Sequence, residues 1–339
     1  MNFKHRVVRR IGAEIQRISK PLTYTHLAPI CTCGLCIPIE PSKKKIDITF
    51  LYSKGTRDIA SVQMRIPQSA KHVLDNNSNI KLTGLCLDSP RINLLKNQII
   101  VLTKFAARDI TITCLNSLLK KGNIVLIDPV DSAIELNKFS NIHGVIASSI
   151  NQFEYFREKS KLNVKLLYHA GDFRINGIQS RSNQFSIAYF GSRERFPADL
   201  LDLPKIKIIK TSLSYFPADN KPDFSKYLEE YPAHFAIGTL QNHNIFKPFT
   251  KGIIASAVGS VTLISSKETE AIQLLGKNYP YISKSNSFDD VAFMLQEMEK
   301  SYLSKDWALA QQCHNKLIPL NCEMSLANKW LELFESFSN

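Results

Sequence analysis

The sequence predicts an α/β protein with two domains, each built on a parallel sheet with helices on both faces. From Ile46 onward, short apolar runs alternate with helical stretches, which is the pattern of parallel sheets. A polar segment, Ile175 to Gln184, separates this alternation into two halves. The chain has 339 residues, of which 44% are hydrophobic and 22% charged, so it can form two domains of ordinary size.

Charge and cysteine content limit the class of protein. The formal net charge of +13 indicates an anionic partner, such as nucleic acid, an anionic membrane surface or a phosphorylated substrate, although an excess of charge can also simply keep a protein soluble. The sequence has no run of about 18 apolar residues that would cross a membrane, and no secretory type of N-terminus. The seven cysteines are odd in number and irregularly spaced, which favours reduced thiols in a cytoplasmic protein.

Residues 1–45 are predicted to form a basic N-terminal extension and linker. Apolar residues recur at helical spacing among lysines and arginines between Val7 and Ile18. Such a helix either docks on the protein body or lies on an anionic membrane. In the second case the membrane surface would be the inner face of the cell membrane. Cys31, Cys33 and Cys36 are close in sequence, but structural zinc sites usually join two separated pairs, so no metal is predicted.

Residues 46–174 are predicted to form the first domain. Its clearest helices cover residues 60–74, 108–120 and 150–158. The predicted strands are 46–52, 80–85, 98–102, 123–127, 144–147 and 164–168. Ligands of open parallel sheets bind outside the carboxyl ends of the strands, so the residues that follow each strand are the candidates for function.

The candidate residues of the first domain follow its strands. Gly55 and Arg57 come after the first strand, Asp131 after the fourth and His169 after the last. Asp131 is a candidate general base, but its position before Ser132 also suits a helix N-cap, which is the interpretation we favour. His169 either faces a cleft between the domains or is a hydrogen-bonded structural histidine, and the sequence leaves both interpretations open.

Residues 185–303 are predicted to form the second domain. Its first strand, 185–190, leads into Gly191, Ser192 and Arg193. Gly191 permits close approach of the backbone to a ligand, and Arg193 can pair with a phosphate through two hydrogen bonds. Any tight turn can contain the same Gly-Ser pair, so this loop supports a phosphate-binding site only together with a second anion-binding feature.

That second feature is the stretch from Lys247 to Ile282. Lys247-Pro248 is predicted to begin a helix, with Thr250 and Lys251 in its first turn and a glycine at its end. Because a helix N-terminus attracts phosphate, Lys251 and Thr250 could hold a diphosphate. After the next strand, Glu268 and Glu270 open another helix, where a carboxylate could accept hydrogen bonds from a ribose. The alternative is an ordinary α/β unit with solvated charges.

The residues from 247 to 281 resemble a known family. The string K-P-x-x-K-x-x-x-A-x-A-x-G, then an apolar strand, then E-x-E and L-L-G-x-x-Y-P-Y, is similar to the donor-binding half of GT-B-fold glycosyltransferases. The resemblance implies two Rossmann-like domains that face each other across a cleft. It also implies that residues 304–339 form helices that cross back onto the first domain, with Trp330 as an anchor.

The same resemblance implies roles for individual residues. The donor would be a nucleotide sugar bound by the second domain, and the acceptor would be held by the first domain beside Gly55 and Arg57. Asp131 and His169 would be the catalytic candidates. The implied donor-binding residues are Gly191, Ser192, Arg193, Lys247, Thr250, Lys251, Glu268 and Glu270. Neither a metal nor a cofactor is expected, since the sequence has no Asp-x-Asp.

The predicted function is therefore a metal-independent glycosyltransferase that moves a sugar from a nucleotide-sugar donor to a glycan or lipid-linked acceptor. The alternatives are a nucleotide-sugar epimerase of the same fold, and a non-enzymatic polyanion-binding or inactive relative. A nucleic-acid partner is not expected, because the sequence has no recognisable reader motif. Glu268 and Glu270 are only two residues apart, so the choice between inversion and retention stays open.

Overall fold

A computed structural model describes residues 45–57, 59–65, 68, 79–211, 224–238 and 245–338. The predicted N-terminal helix, the cysteine cluster Cys31 to Cys36 and the loop Asn242 to Asn244 lie outside these residues. The described chain forms two parallel sheets, one in each half.

The first sheet has six parallel strands in the order β2-β1-β3-β4-β5-β6. Its central strands are buried on both faces, which explains why they read as unbroken apolar runs. The strands are β1 (Ile46–Tyr52), β2 (Ile80–Cys86), β3 (Ile99–Thr103), β4 (Ile124–Asp128), β5 (Gly144–Ala147) and β6 (Asn163–Leu166). All six were expected from the sequence to within two residues at each end.

The helices of this half are α1 (Ala60–Arg65), α2 (Lys104–Asp109), α3 (Ile112–Lys120) and α4 (Ile150–Lys159). The prediction of one helix over 108–120 is wrong. Ile110 and Thr111 adopt extended backbone angles, and the Thr111 side chain accepts a hydrogen bond from the Cys114 N–H, which begins a new helix.

The second sheet has five parallel strands in the order β11-β10-β9-β7-β8. They are β7 (Ile187–Phe190), β8 (Ile206–Ile209), β9 (Ala233–Phe235), β10 (Val261–Ser265) and β11 (Ile282–Ser283). The helices are α5 (Ser225–Leu228), α6 (Thr250–Ala257), α7 (Thr269–Leu275) and α8 (Phe288–Lys300). Helix α6 begins at Thr250 rather than at Lys247, because Phe249 occupies the N-cap position. Gly259 lies beyond its end with φ of 75°.

The chain ends in two helices, α9 (Lys305–Asn315) and α10 (Glu323–Phe337), on either side of a 3-10 turn at Ile318–Asn321. Helix α10 crosses back onto the first sheet, as expected. Trp330 is 1% exposed, stands edge-on to Phe50 of β1 at 5.4 Å and stacks on Phe334 at 5.1 Å between ring centroids. Trp330 is thus an anchor of this packing.

The carboxyl edges of the two sheets face each other. The Ser149 hydroxyl, after β5, donates a hydrogen bond of 3.0 Å to the Phe246 carbonyl. The Asn151 amide donates to the Ile245 carbonyl at 3.2 Å. A Cβ at Gly171 would stand 3.3 Å from the Ile254 side chain of α6, so the two halves also touch there. Residues that follow strands of both sheets therefore share one cleft.

The cysteines depart from expectation at one position. Cys86, Cys114 and Cys313 carry free thiols, but Cys322 is disulfide-bonded. The expectation that all cysteines are reduced is wrong there, because sequence spacing does not show which thiols the fold brings together. In the part of the chain that the structure describes, no helix is long and apolar enough to span a membrane.

Candidate active site

A cluster of cations lies where α6 begins. Lys251 stands in the first turn of α6, as predicted. Desolvation of its ammonium, together with Lys247 and Arg195, lowers its pKa to about 7, while Glu268 acts in the opposite direction. Lys247 is also in the field of Arg195, Asp131 and Glu268, and its pKa is lowered, first by desolvation. The charges of three cations and Glu268 thus act on one another beside a helix N-terminus, which suits an anion with several negative charges.

The Lys251 ammonium rests on an aromatic ring. Its Nζ atom lies 3.7 Å from the ring centroid of Tyr189, on strand β7. The Tyr189 side chain is 2% exposed, and its ring also lies against the loop that follows the strand. A Cβ at Gly191 would stand 2.7 Å from Tyr189 Cε1, so only glycine fits at position 191 while the ring keeps this place.

The loop at Gly191 begins with a hydrogen bond to the neighbouring strand. The Gly191 N–H donates to the Ile209 carbonyl at 3.0 Å, so that group serves the sheet. Ser192 leads into a 3-10 turn from Arg193 to Arg195. Arg193 and Arg195 are both exposed, and Arg195 is the arginine whose charge acts on Lys251 and Lys247. The sequence drew attention to Arg193, because the turn that carries Arg195 toward the lysines was not foreseen.

Glu268 and Glu270 have separate positions although only one residue lies between them. Glu268 Oε1 accepts a hydrogen bond of 3.0 Å from the Gly238 N–H, beyond strand β9. Its charge acts on both Lys247 and Lys251, so it belongs to the cationic cluster.

Glu270 belongs instead to the contact between the two halves. Its two carboxylate oxygens accept hydrogen bonds from the N–H groups of Ile150 at 3.0 Å and Asn151 at 3.1 Å. These are unpaired donors at the start of α4, so Glu270 caps a helix of the opposite domain. Burial raises the Glu270 pKa, the Ile150 and Asn151 N–H groups lower it, and the Glu154 charge raises it. Both oxygens of Glu270 thus serve the contact between the domains, and its role toward a ribose stays a prediction.

Asp131 does not cap a helix. Residues 129–143 form turns, bends and irregular segments, so no helix follows Asp131 for it to cap. The Asp131 carboxylate instead pairs with the Lys104 ammonium at 2.5 Å. Its charge acts on Lys247 and on His169. The expected cap is therefore wrong, and the structure places Asp131 in the cleft.

His169 is a buried, neutral histidine at the same edge. Its Nδ1 lies 2.7 Å from the Ala170 carbonyl, which can only accept, so Nδ1 carries the proton and Nε2 keeps a lone pair. Burial and the Arg65 charge lower its pKa to about 4, against the raising effects of the Ala170 carbonyl, Asp128 and Asp131. A group with this pKa is a weak base near neutral pH, and its Nε2 suits acceptance of a hydrogen bond from a hydroxyl.

The remaining predicted residues have local partners. The Thr250 N–H donates to the Pro248 carbonyl at 2.7 Å. Gly55 has φ of 75°, which requires glycine-like freedom in the turn after β1. The Arg57 carbonyl accepts from the Gln63 side chain at 2.5 Å. The role of Gly55 and Arg57 on the acceptor side stays a prediction.

Four residues of the site were not foreseen from the sequence. Tyr189 reads as one more apolar residue of a buried strand, and Gly238 as a turn. Arg195 and Lys104 are single charges with no motif around them. Their importance depends on contacts between residues far apart in sequence, which spacing does not reveal.

Solved structures with two facing α/β domains are similar to this chain. The crystal structure of a glycosyltransferase from Rickettsia africae ESF-5 matches with a TM-score of 0.60 at 10% identity, over 87% of this chain and 99% of that one. Anabaena Alr3699/HepE in complex with UDP matches with a TM-score of 0.61 at 11% identity, over 86% and 100%. Sucrose-phosphate synthase from Thermosynechococcus elongatus matches with a TM-score of 0.57 at 9% identity, over 86% and 98%.

The chain therefore has the GT-B fold, with two Rossmann-like domains across a cleft and a C-terminal helix that crosses back. This confirms the fold that the stretch from 247 to 281 indicated. No protein-family model matches the sequence, and no curated protein matches it. Since similarity at this level of identity concerns the fold, the function has to be argued from the site.

Proposed function

We propose that the chain is a glycosyltransferase that transfers a sugar from a nucleotide-sugar donor, with UDP as the first nucleotide to test, to a glycan or lipid-linked acceptor. The observation that carries this proposal is the cluster of Lys251, Lys247 and Arg195 at the N-terminus of α6 beside Gly191. HepE was solved in complex with UDP on the same fold. The donor would occupy the second domain, residues 185–303, and the acceptor the first, residues 46–174.

The cationic cluster would bind the diphosphate and stabilise it as the leaving group. Lys251 has a pKa of about 7, so a nearby anion would favour its charged form and draw a proton onto it. Positive groups fixed where negative charge develops stabilise the transition state. Thr250, Ser192 and Arg193 are further candidates for phosphate contact. Glu268 is the candidate for the ribose hydroxyls.

The acceptor would lie across the cleft at the edge of the first sheet. Asp131 would take the proton from the attacking hydroxyl as general base, and Lys104 would hold it in place. His169, with its lone pair on Nε2, would accept a hydrogen bond from the acceptor. Gly55 and Arg57 would lie on the acceptor side. The reaction would need no metal. Activity that persists in the presence of EDTA would support this.

The test is a thermal-shift screen with UDP, GDP, ADP, CMP and CDP on the wild type and on Lys251→Ala. A ligand at about 100 times its Kd adds roughly 2.7 kcal/mol to the folded state, which moves the midpoint by several degrees. We expect one nucleoside diphosphate to stabilise the wild type, and Lys251→Ala to lose the shift. Lys277→Ala, which removes an exposed lysine of the same domain, is the matched control and should keep it.

Turnover separates the remaining alternatives. Release of the nucleoside diphosphate from its nucleotide sugar, with a new glycoside on the acceptor, is the expected result. A shift without turnover indicates an inactive sugar-binding relative, and a changed sugar on an intact nucleotide indicates an epimerase. No shift with any nucleotide, together with salt-sensitive binding to polyanions, refutes the proposal.

Because of the excess of positive charge, we also propose that the protein binds its acceptor at an anionic membrane surface, on the cytoplasmic side. Vesicles with and without anionic lipid test this. If the chain lacking residues 1–42 binds anionic vesicles as well as the full chain, the extension has no part in membrane binding.

A further inference from the structure

The ring of Tyr189 stands between the two anion-binding features of the site. One face meets the Lys251 ammonium at 3.7 Å, and the ring also lies where a Cβ of residue 191 would otherwise be. The aromatic rings of Phe196 and Phe235 hold it from the core side, with centroids at 5.0 Å and 6.4 Å. The ring is thus fixed in the core, and its place determines where both the lysine and the loop lie.

The surroundings of Lys251 explain why a ring is needed there. Lys247 precedes it in the chain and Arg195 approaches from the loop after β7, and both repel its ammonium. Glu268, beyond β10, is the carboxylate that attracts it, and His234 on β9 lies within its field. A ring face attracts a cation through its quadrupole without carrying a charge. Tyr189 can therefore hold the ammonium among other cations before any ligand arrives.

We propose that Tyr189 is a positioning residue of the donor site: its ring seats the Lys251 ammonium beside the Gly191 loop, where the diphosphate of the donor then meets it. The proposal rests on the proposed function, since it names how the donor site is prepared. A lysine side chain has many rotamers, and fixing one of them before binding removes that entropic cost from the binding step.

The test is calorimetric titration with UDP of the wild type, Tyr189→Phe and Tyr189→Leu, each also combined with Lys251→Met. Tyr189→Phe keeps the ring and should bind within about twofold of the wild type. Tyr189→Leu removes the ring that contacts the Lys251 ammonium and should weaken binding by about tenfold or more. In the Lys251→Met background, Tyr189→Leu should cause no further loss, because the ring acts through the lysine.

Two further variants guard against a loss of folding. Val291→Ala truncates a buried side chain of helix α8 in the same core, so it controls for a general loss of core packing and should keep UDP affinity. Tyr189→Met, with a side chain of similar length, replaces Tyr189→Leu if that variant fails to fold, as judged by its thermal transition.

Each result decides between specific accounts. Equal loss in Tyr189→Phe and Tyr189→Leu would assign the effect to the hydroxyl and overturn the role of the ring. Equal loss from Tyr189→Leu with and without Lys251 would reduce Tyr189 to a packing residue. Unchanged UDP affinity in Tyr189→Leu refutes this inference alone, whereas a wild type that binds no nucleoside diphosphate refutes the proposed function and the inference with it.

Discussion

Glu270 of the second domain caps the helix that begins at Ile150 of the first, with its Oε1 atom 3.0 Å from the Ile150 nitrogen. The neighbouring Asn151 side chain adds a hydrogen bond of 3.0 Å to the Thr269 hydroxyl. These contacts cross the cleft and join helices α4 and α7 at their N-termini. They hold the two domains together along the cleft.

We expect Glu270→Gln to loosen this contact. A glutamine keeps one acceptor oxygen but loses the negative charge that favours a helix N-terminus, which is worth about 0.3–1 kcal/mol and up to about 2 kcal/mol in partly buried geometry. The amide protons of Ile150 and Asn151 should exchange faster in the variant. Hydrogen exchange followed by NMR or mass spectrometry measures this directly.

Glu268→Gln is the matched control for that experiment. Glu268 bonds the Gly238 N–H within its own domain, so its substitution should leave the Ile150 and Asn151 amides protected and should instead change UDP affinity. The opposite pattern, with protected amides and weak UDP binding in Glu270→Gln, would return Glu270 to the ribose site and contradict its assignment to the domain contact.

The affinity for UDP should fall as the pH rises above 7. Lys251 has a pKa of about 7 in the free protein, and a bound diphosphate favours its ammonium form, so binding takes up a proton. Above pH 7 this makes the affinity fall by about tenfold per pH unit until the pKa of the complex is reached. Titration between about pH 7 and 9, in two buffers of different ionisation enthalpy, yields both the affinity and the number of protons taken up.

Lys251→Met is the variant that isolates this effect. It should bind UDP more weakly and show no proton uptake above pH 7. If the variant still takes up a proton on binding, the titrating group is another one, and Lys247 is the next candidate because its pKa is also lowered.

The strands of this fold could be predicted because a strand buried on both faces appears in the sequence as an unbroken run of apolar residues. Ile46–Tyr52 and Gly144–Ala147 have the bounds expected from their apolar runs. The break at Ile110 and Thr111 was missed, since a helical pattern continues across it. The backbone angles there are extended, and only the Thr111 cap, a weak local signal, marks the new helix.

The site could be predicted only as far as motifs extend along the chain. The sequence singled out Lys251 and Gly191 as candidates because each lies in a recognisable stretch. The cap that Glu270 forms on Ile150 joins residues 120 positions apart, and the seat of Lys251 on Tyr189 joins two strand-and-helix units. Nothing in the spacing of Glu268 and Glu270 indicates that one faces the cluster and the other the opposite domain.

Trp330→Ala should destabilise the protein strongly. The indole is 1% exposed, and it packs on Phe334 and Phe50 where α10 crosses onto the first sheet. Truncation of such a side chain costs about 3–5 kcal/mol. Urea unfolding measures the loss. Phe293→Ala, at a position that is 61% exposed on α8, should change stability by less than about 0.5 kcal/mol, and a similar loss in both would contradict the anchoring role.

Stability should fall on acidification because three histidines are buried in the neutral form. Burial lowers the pKa to about 4 for His169 and about 3 for His234 and His314, from an ordinary value of 6.5. Between pH 6.5 and those values the unfolded chain binds protons that the folded chain does not, so acid favours unfolding. Each histidine contributes a slope of about 1.4 kcal/mol per pH unit in that window.

His314→Gln tests this assignment. His314 Nε2 accepts a hydrogen bond from the Thr262 N–H at 3.1 Å. A glutamine oxygen can accept the same bond but does not titrate. The slope of the unfolding free energy against pH should therefore be smaller in the variant by the contribution of one histidine. His143→Gln, at an exposed position, should keep the full slope. Urea unfolding between about pH 4.5 and 7 gives the comparison. If both variants keep the wild-type slope, acid destabilisation comes from groups other than His314, and its bond to Thr262 has no part in the pH dependence.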